Sequence, residues 1–222
     1  MQKQAHDEAD LVEPLIAILR DCYTVNTQTS EMNNAVIALA DDLIRLGELA
    51  VEPLLQALSD PQLRFFAICT LGHIGDNRAT EPLLNLLAEE SAEGSEDLLY
   101  LITALGRIGD ERSVTALTEL LAAAEHHAFK ALPQPSLLHS DLFEVFAAWL
   151  FRRKIALVQT QHEHYVHRQL PLCLIQALGR IDDSRAVAAI QARLTDVDEV
   201  IVAAAQRALA QLDKDVNGEI AS

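Results

Sequence analysis

Positive charge is scarce in this sequence. The 222 residues hold 17 Lys and Arg against 33 Asp and Glu, a formal charge of −16 at pH 7. So acidic a chain repels phosphate backbones, which excludes general DNA or RNA binding and a broadly basic membrane-facing surface. Cysteine is also rare. Cys22, Cys69 and Cys173 are far apart, odd in number and form no CxxC pair, so neither a disulfide framework nor a cysteine zinc site is expected. Each lies in an apolar helical pattern and reads as a buried structural thiol. No apolar run approaches the roughly 20 residues of a membrane-spanning helix. The opening MQKQAHDEAD lacks the apolar region of a signal peptide. The expectation is a soluble protein of a reducing compartment, the cytoplasm. A phosphate-binding glycine loop and a local Ser-His-Asp signature are missing too, and the chain reads as non-catalytic.

What is present is a repeat. LGHIGDNRATEPLLNLL (71–87) returns 34 residues later as LGRIGDERSVTALTELL (105–121), and LGRIDDSRAVAAIQARL begins at Leu178. Apolar spacing is helical almost throughout, as at Leu98, Leu101, Ile102 and Leu105. The unit reads as helix A, a short turn, helix B and a Gly-Asp turn into the next unit. Spacing predicts A and B helices at 49–58 and 61–74, at 79–88 and 95–108, and at 185–194 and 198–212. An A helix is predicted at 113–125, and a more divergent pair at 11–20 and 31–46. Asp60 is expected to cap the helix starting at Pro61. Pro14, Pro53 and Pro82 are expected in first turns, where the missing N–H costs nothing. A lone hairpin cannot cover its apolar face, whereas stacked hairpins can. Half the residues are hydrophobic, enough for a large core.

The segments LIRLGELAVEPLL (43–55), LGHIGDNRATEPLL (71–84), LGRIGDERSVTAL (105–117) and LGRIDDSRAVAAI (178–190) resemble the HEAT-like repeats first associated with phycobilisome lyases. The resemblance covers most of the chain outside 126–167. It implies an all-α fold, a right-handed α-solenoid of about five HEAT-like helical hairpins, as one domain over 1–222 with a frayed tail at 213–222. It also implies B helices on the concave side. The relatives that give the repeat its name deliver a linear tetrapyrrole to a cysteine of a phycobiliprotein. Deoxyhypusine hydroxylase, another HEAT-repeat protein, holds di-iron through His-Glu pairs on repeated helices. The single His162–Glu163 pair here lies outside the repeat register, which speaks against that activity.

The third copy lies 73 residues beyond the second because an insertion opens the fourth hairpin. RQLPLCLIQALGRI (168–181) aligns with SEDLLYLITALGRI (95–108) and PQLRFFAICTLGHI (61–74), with Pro171 early in its helix. Residues 126–167 are therefore extra. They hold six of the eight histidines (His126, His127, His139, His162, His164, His167), the only tryptophan and four of six phenylalanines. Lys130, Arg152, Arg153 and Lys154 outnumber Asp141, Glu144 and Glu163, so the insertion carries +1 and the remainder −17. Within it, 131–136 reads as a loop and 140–158 as a helix. That helix has an Asp141–Glu144 capping box and is apolar nearly all round from Leu142 to Phe151. Such a helix must be covered on most sides: by the solenoid's own groove, by a second copy in a homodimer, or by another protein.

The candidate partner-binding residues are Phe143, Phe146, Trp149, Phe151, Arg152, Arg153, Lys154 and Tyr165, an aromatic and basic set of interface composition. Two alternatives stand beside this one. Trp149 and Tyr165 could stack on a bilin whose propionates pair with Arg152, Arg153 or His167. In a helix, Glu163, His164 and His167 would share one face and could hold a divalent metal. The first reading needs no cofactor. Finally, Arg45, His73, Arg107 and Arg180 recur near the ends of B helices, each followed by an acid: Glu48, Asp76, Asp110, and Asp182 or Asp183. Such a ladder could form a basic stripe for an acidic partner, but cations suit helix C-termini, and the favoured reading is that they pair with those adjacent acids.

Overall fold

A computed structural model describes residues 2–24, 30–93, 97–124 and 163–218. Among them the secondary structure is helical throughout, with no strand. The helices are α1 (Gln2–Thr24), α2 (Ser30–Leu46), α3 (Glu48–Ala57), α4 (Arg64–Ile74), α5 (Thr80–Glu93), α6 (Leu98–Ile108), α7 (Val114–Ala123), α8 (Glu163–Ile181), α9 (Val187–Gln191) and α10 (Glu199–Gly218). Short 3₁₀ turns at Asn77–Ala79, Glu111–Ser113 and Ser184–Ala186 lead into α5, α7 and α9.

The described chain forms two compact units, divided between Ala79 and Thr80. In the first, α1 packs on α2 and α3 on α4, while α1 also meets α3 and α2 meets α4. Like helices lie beside like, as hairpin stacking demands. Val12, Ile16 and Leu19 of α1 are buried at helical spacing, opposite exposed Leu11, Glu13 and Ile18. Val36, Leu39, Leu43, Val51, Leu54, Phe66 and Leu71 complete this core. In the second unit α5 packs on α6, α7 on α8 and α9 on α10, while α8 lies between α6 and α10. The core there draws on Leu83, Leu101, Leu105, Leu117, Leu174, Leu178, Ile190 and Ala205. Burying each large aliphatic side chain contributes about 1.5–3 kcal/mol.

Several expected boundaries shift. Asp60 caps a tight turn instead of a helix: its carboxylate accepts from Gln62 N at 3.0 Å, its carbonyl accepts from Leu63 and Arg64, and α4 begins only at Arg64. Pro82 does sit in a first turn, but Pro14 and Pro53 lie inside α1 and α3. Helix formers such as QKQAHDEAD extend α1 upstream of Pro14 and outweigh the lost bond. Pro171 is also interior, because α8 starts at Glu163, upstream of the expected Arg168. Burial of Gln169–Ile175 offsets the roughly 3 kcal/mol that an interior proline costs. α10 runs as far as Gly218, and residues 219–222 of the expected frayed tail lie outside the described residues.

Among the described residues no helix is long and apolar enough to cross a membrane.

Candidate functional site

The turns between hairpins determine how each B helix is held. At Gly75 and Gly109 the chain enters the left-handed region, φ 74° in both, closing α4 and α6 with a bond back to Leu71 and Leu105. The third copy has Asp182 in that slot at φ 58°. The next residue, Asp76, Asp110 or Asp183, folds its carboxylate over the following turn. It accepts from the backbone N–H of the arginine two residues on, at 2.9, 3.0 and 2.8 Å. That arginine returns its own guanidinium to the same carboxylate, with Nε of Arg78, Arg112 and Arg185 at 3.0, 2.9 and 2.9 Å.

These arginines also reach the preceding hairpin. Arg78 Nη2 donates to the Glu48 carbonyl at 3.2 Å, and Arg185 Nη2 to the Glu111 carbonyl at 3.1 Å. Thr80 Oγ1 donates to Asp110 Oδ2 at 3.0 Å in a buried contact. The Arg112 guanidinium, with its backbone N–H and Thr80, holds the Asp110 carboxyl down to about 2. Asp76 and Asp183 are lowered by Arg78 and Arg185 in the same way. The acids thus take the arginine two residues downstream, and the expected pairing with the helix-end cations upstream is corrected. Two-residue spacing lets one Asx turn satisfy backbone and guanidinium together. Arg45 pairs with Asp42 on its own helix, and His73 Nδ1 lies 2.8 Å from the Cys69 carbonyl. Arg78, Arg112 and Arg185 were legible as a recurring Asp-x-Arg, a signal the helix-end reading passed over.

The B helices themselves are held close. A Cβ on Gly106 of α6 would stand 2.6 Å from both Cα and Cβ of Ala177 on α8, and a Cβ on Gly179 of α8 would stand 3.0 Å from Cβ of Ala208 on α10. With α7 behind it and α6 and α10 on its flanks, α8 has little surface left. From Gln169 to Ile181 only Gln176 and Arg180 escape burial. On α6 only Thr103 and Arg107 do so. Thr103 and Gln176 occupy equivalent repeat positions, as do Arg107 and Arg180. α6 and α8 each therefore offer a polar ledge of two positions, one turn apart.

Another arginine acts at the end of α7, just upstream in sequence of residue 126. Arg193, nearly fully buried, donates to the Leu121 carbonyl in the last turn of α7 and lies 3.8 Å from Asp196. It satisfies an orphan carbonyl at the helix end, just before the insertion opens. Of the predicted site residues, Phe143, Phe146, Trp149, Phe151, Arg152, Arg153 and Lys154 lie outside the described residues, as do His126, His127, His139, His162 and the predicted loop and helix around them. Glu163, His164, Tyr165 and His167 belong to the backbone of α8. Glu163, His164 and His167 therefore have the helical three- and four-residue spacing that the metal reading required. Among the described residues no group of three His, Cys, Asp or Glu side chains is placed to hold a metal ion.

Cys173 and Cys69 are buried free thiols and Cys22 is half-buried. Burial pushes the Cys173 thiol up to about 12, so it is a packing group and not a nucleophile.

No curated protein matches the sequence. Residues 63–89 and 98–123 match the family model of the PBS lyase HEAT-like repeat, each match running from a B helix through the Asp-x-Arg turn into the next A helix, and these two stretches of the chain are HEAT-like repeats.

Proposed function

We propose that the protein is a non-catalytic interaction scaffold: a right-handed α-solenoid of about five hairpins whose B helices line a concave surface. Helical repeats of this kind present extended binding faces, because each hairpin spends its apolar surface on its neighbours. The observation that carries this reading is the ledge. Thr103 and Arg107 of α6 and Gln176 and Arg180 of α8 are the accessible positions of Leu98–Ile108 and of Gln169–Ile181, stretches otherwise buried. In this reading the insertion at 126–167 supplies specificity, as a contact surface toward another protein or a second copy. The cytoplasm is its place of action.

The test is deletion of residues 128–165 with a short linker, followed by affinity capture and mass determination in solution. Loss of a captured partner, or of a homodimer, is the expected result. A partner or dimer that survives unchanged removes the insertion from the contact.

The family match favours one second reading, a bilin lyase or tetrapyrrole chaperone. A chain of that kind acquires visible absorbance when mixed with a bilin, and an unchanged spectrum ends that reading.

A further inference from the structure

The α7–α8 hairpin is closed differently from the α5–α6 hairpin. Residues 94–97 join α5 to α6, whereas residues 124–162 separate α7 from α8. A longer connection costs more entropy to close, so the chain itself ties α7 to its B helix less firmly. The hairpin that follows holds α7 at two points. Arg185 Nη2 donates to the Glu111 carbonyl at 3.1 Å, in the turn that leads into α7. Arg193 Nη2 donates to the Leu121 carbonyl, in the last turn of α7. The two bonds join residues 74 and 72 apart in sequence, and they grip one helix at its start and at its end.

The first bond belongs to the repeat, since Arg78 reaches the Glu48 carbonyl from the same position. The second departs from it. In the aligned segments 71–87, 105–121 and 178–194 the penultimate residue is Leu86, Leu120 and Arg193, and the last is Leu87, Leu121 and Leu194. Leu87 and Leu121 are buried, but in the third copy Leu194 is exposed and Arg193 is buried. A 3₁₀ stretch at Ala192–Thr195 follows α9, and its tighter winding exchanges the two positions. Burying a guanidinium and exposing a leucine are both unfavourable. What the exchange gains is a charged donor for the end of α7, with Asp196 3.8 Å away as counter-charge. It occurs in the hairpin directly after the interruption.

We propose that Arg185 and Arg193 clamp α7 onto the hairpin of α9 and α10, so that a partner can reshape the chain between 125 and 162, or a protease can cut it, without opening the second unit. Arg193 is a positioning residue: it acts through the end of α7, which sets where that segment leaves. The inference goes beyond the scaffold reading and holds whether or not the insertion touches a partner.

The test is a full-length chain carrying the recognition sequence of a site-specific protease at 131–136, cut to completion. Size exclusion is expected to give one species holding both fragments, with the far-UV circular dichroism of the uncut chain. Dilution of a labelled fragment then gives the dissociation constant. Arg193→Leu, which restores the residue type of Leu86 and Leu120, is expected to raise it about 10–100-fold, the effect of one buried charge-assisted bond. Arg193→Lys keeps a donor and falls between. Arg185→Gln removes an exposed contact and raises it about 2–5-fold. Hydrogen exchange on the uncut chain separates a clamp from a general loss of stability: in Arg193→Leu the amides of the last turn of α7 exchange faster while those of α6 keep their wild-type rates. Wild-type fragments that part on cutting, a dissociation constant that Arg193→Leu leaves unchanged, or exchange that rises equally in α6 and α7 overturns the proposal. Should Arg193→Leu fail to fold, Arg193→Lys and Arg185→Gln decide, and fragments of both that hold as tightly as wild type refute it.

Discussion

Gly106→Ala should destabilise the protein although it improves helix propensity, and the size of the loss follows from the α6–α8 contact. Replacing a helical glycine by alanine contributes about 1 kcal/mol of stability when the new methyl meets open space. Here the methyl would stand 2.6 Å from Cα and Cβ of Ala177. Carbon atoms at rest lie about 3.5–4.0 Å apart, so α6 and α8 must separate by about 1 Å. A backbone Cα cannot rotate aside. Inserting a methylene into a packed core costs about 1–3 kcal/mol, and a contact this short with backbone belongs at the upper end. The net loss is about 1–2 kcal/mol, or roughly 3–6 °C in Tm for a chain of this size. Gly179→Ala is the internal control. Its methyl meets Ala208 Cβ at 3.0 Å, which a shift of a few tenths of an ångström relieves, so gain and cost offset to within about 0.5 kcal/mol. Adding Ala177→Gly to Gly106→Ala recovers only part of the loss, because the Ala177 Cα stays in place. Urea unfolding followed by far-UV circular dichroism measures all four proteins. A Gly106→Ala protein as stable as wild type, or a Gly179→Ala protein equally damaged, would refute the reasoning.

Acid should act through the turns. Hydrogen bonding to Arg112 holds the Asp110 carboxyl near 2 in the folded protein, against 3.8 ordinarily. Its contribution is therefore complete above about pH 4 and lost as the pH falls through the folded value; Asp110→Asn should lower stability at pH 7 and flatten its slope between about pH 4 and 2. Asp182→Gly should raise the urea midpoint by an amount equivalent to about 0.5–1 kcal/mol, since glycine takes the left-handed slot without steric cost. A fall would show that the aspartate's own interactions outweigh the backbone strain. A thiol reagent such as DTNB should modify Cys22 quickly in the native protein and reach Cys69 and Cys173 only in denaturant. Rapid native modification of Cys173 would contradict its burial.

The helical repeat was legible in the sequence because its signals are local. The Gly-Asp steps at 75–76 and 109–110 end one helix and prepare the next within a few residues. The apolar spacing of Leu98, Leu101, Ile102 and Leu105 repeats at 3.6 residues whatever lies opposite. Helix starts were less legible. Pro61 looks like a first helical residue, yet the chain makes a tight turn before Arg64, and Pro171 looks like a start yet lies deep in α8. At 61 the Asp60 cap holds the chain in a turn, and at 171 burial against neighbouring helices outweighs the local preference of proline. The candidate site was legible only as a composition. The clustering of histidine, aromatic and basic residues between 126 and 167 is plain, but which of them converge depends on pairings remote in sequence.

By itself the sequence determined the helical class of fold and the register of the repeats, because helix periodicity, turn chemistry and composition are properties of short stretches of chain. Only the tertiary structure decided which partner each charged group takes and which positions remain accessible. Asp76 faces both His73 and Arg78 in sequence, and the Asx turn gives it to Arg78. Thr103 and Gln176 lie in unremarkable helical sequence, and they remain accessible while their neighbours are buried because close glycine–alanine contacts bring α6, α8 and α10 together. Burial and pairing are set by neighbours dozens of residues away, and no local pattern carries that information.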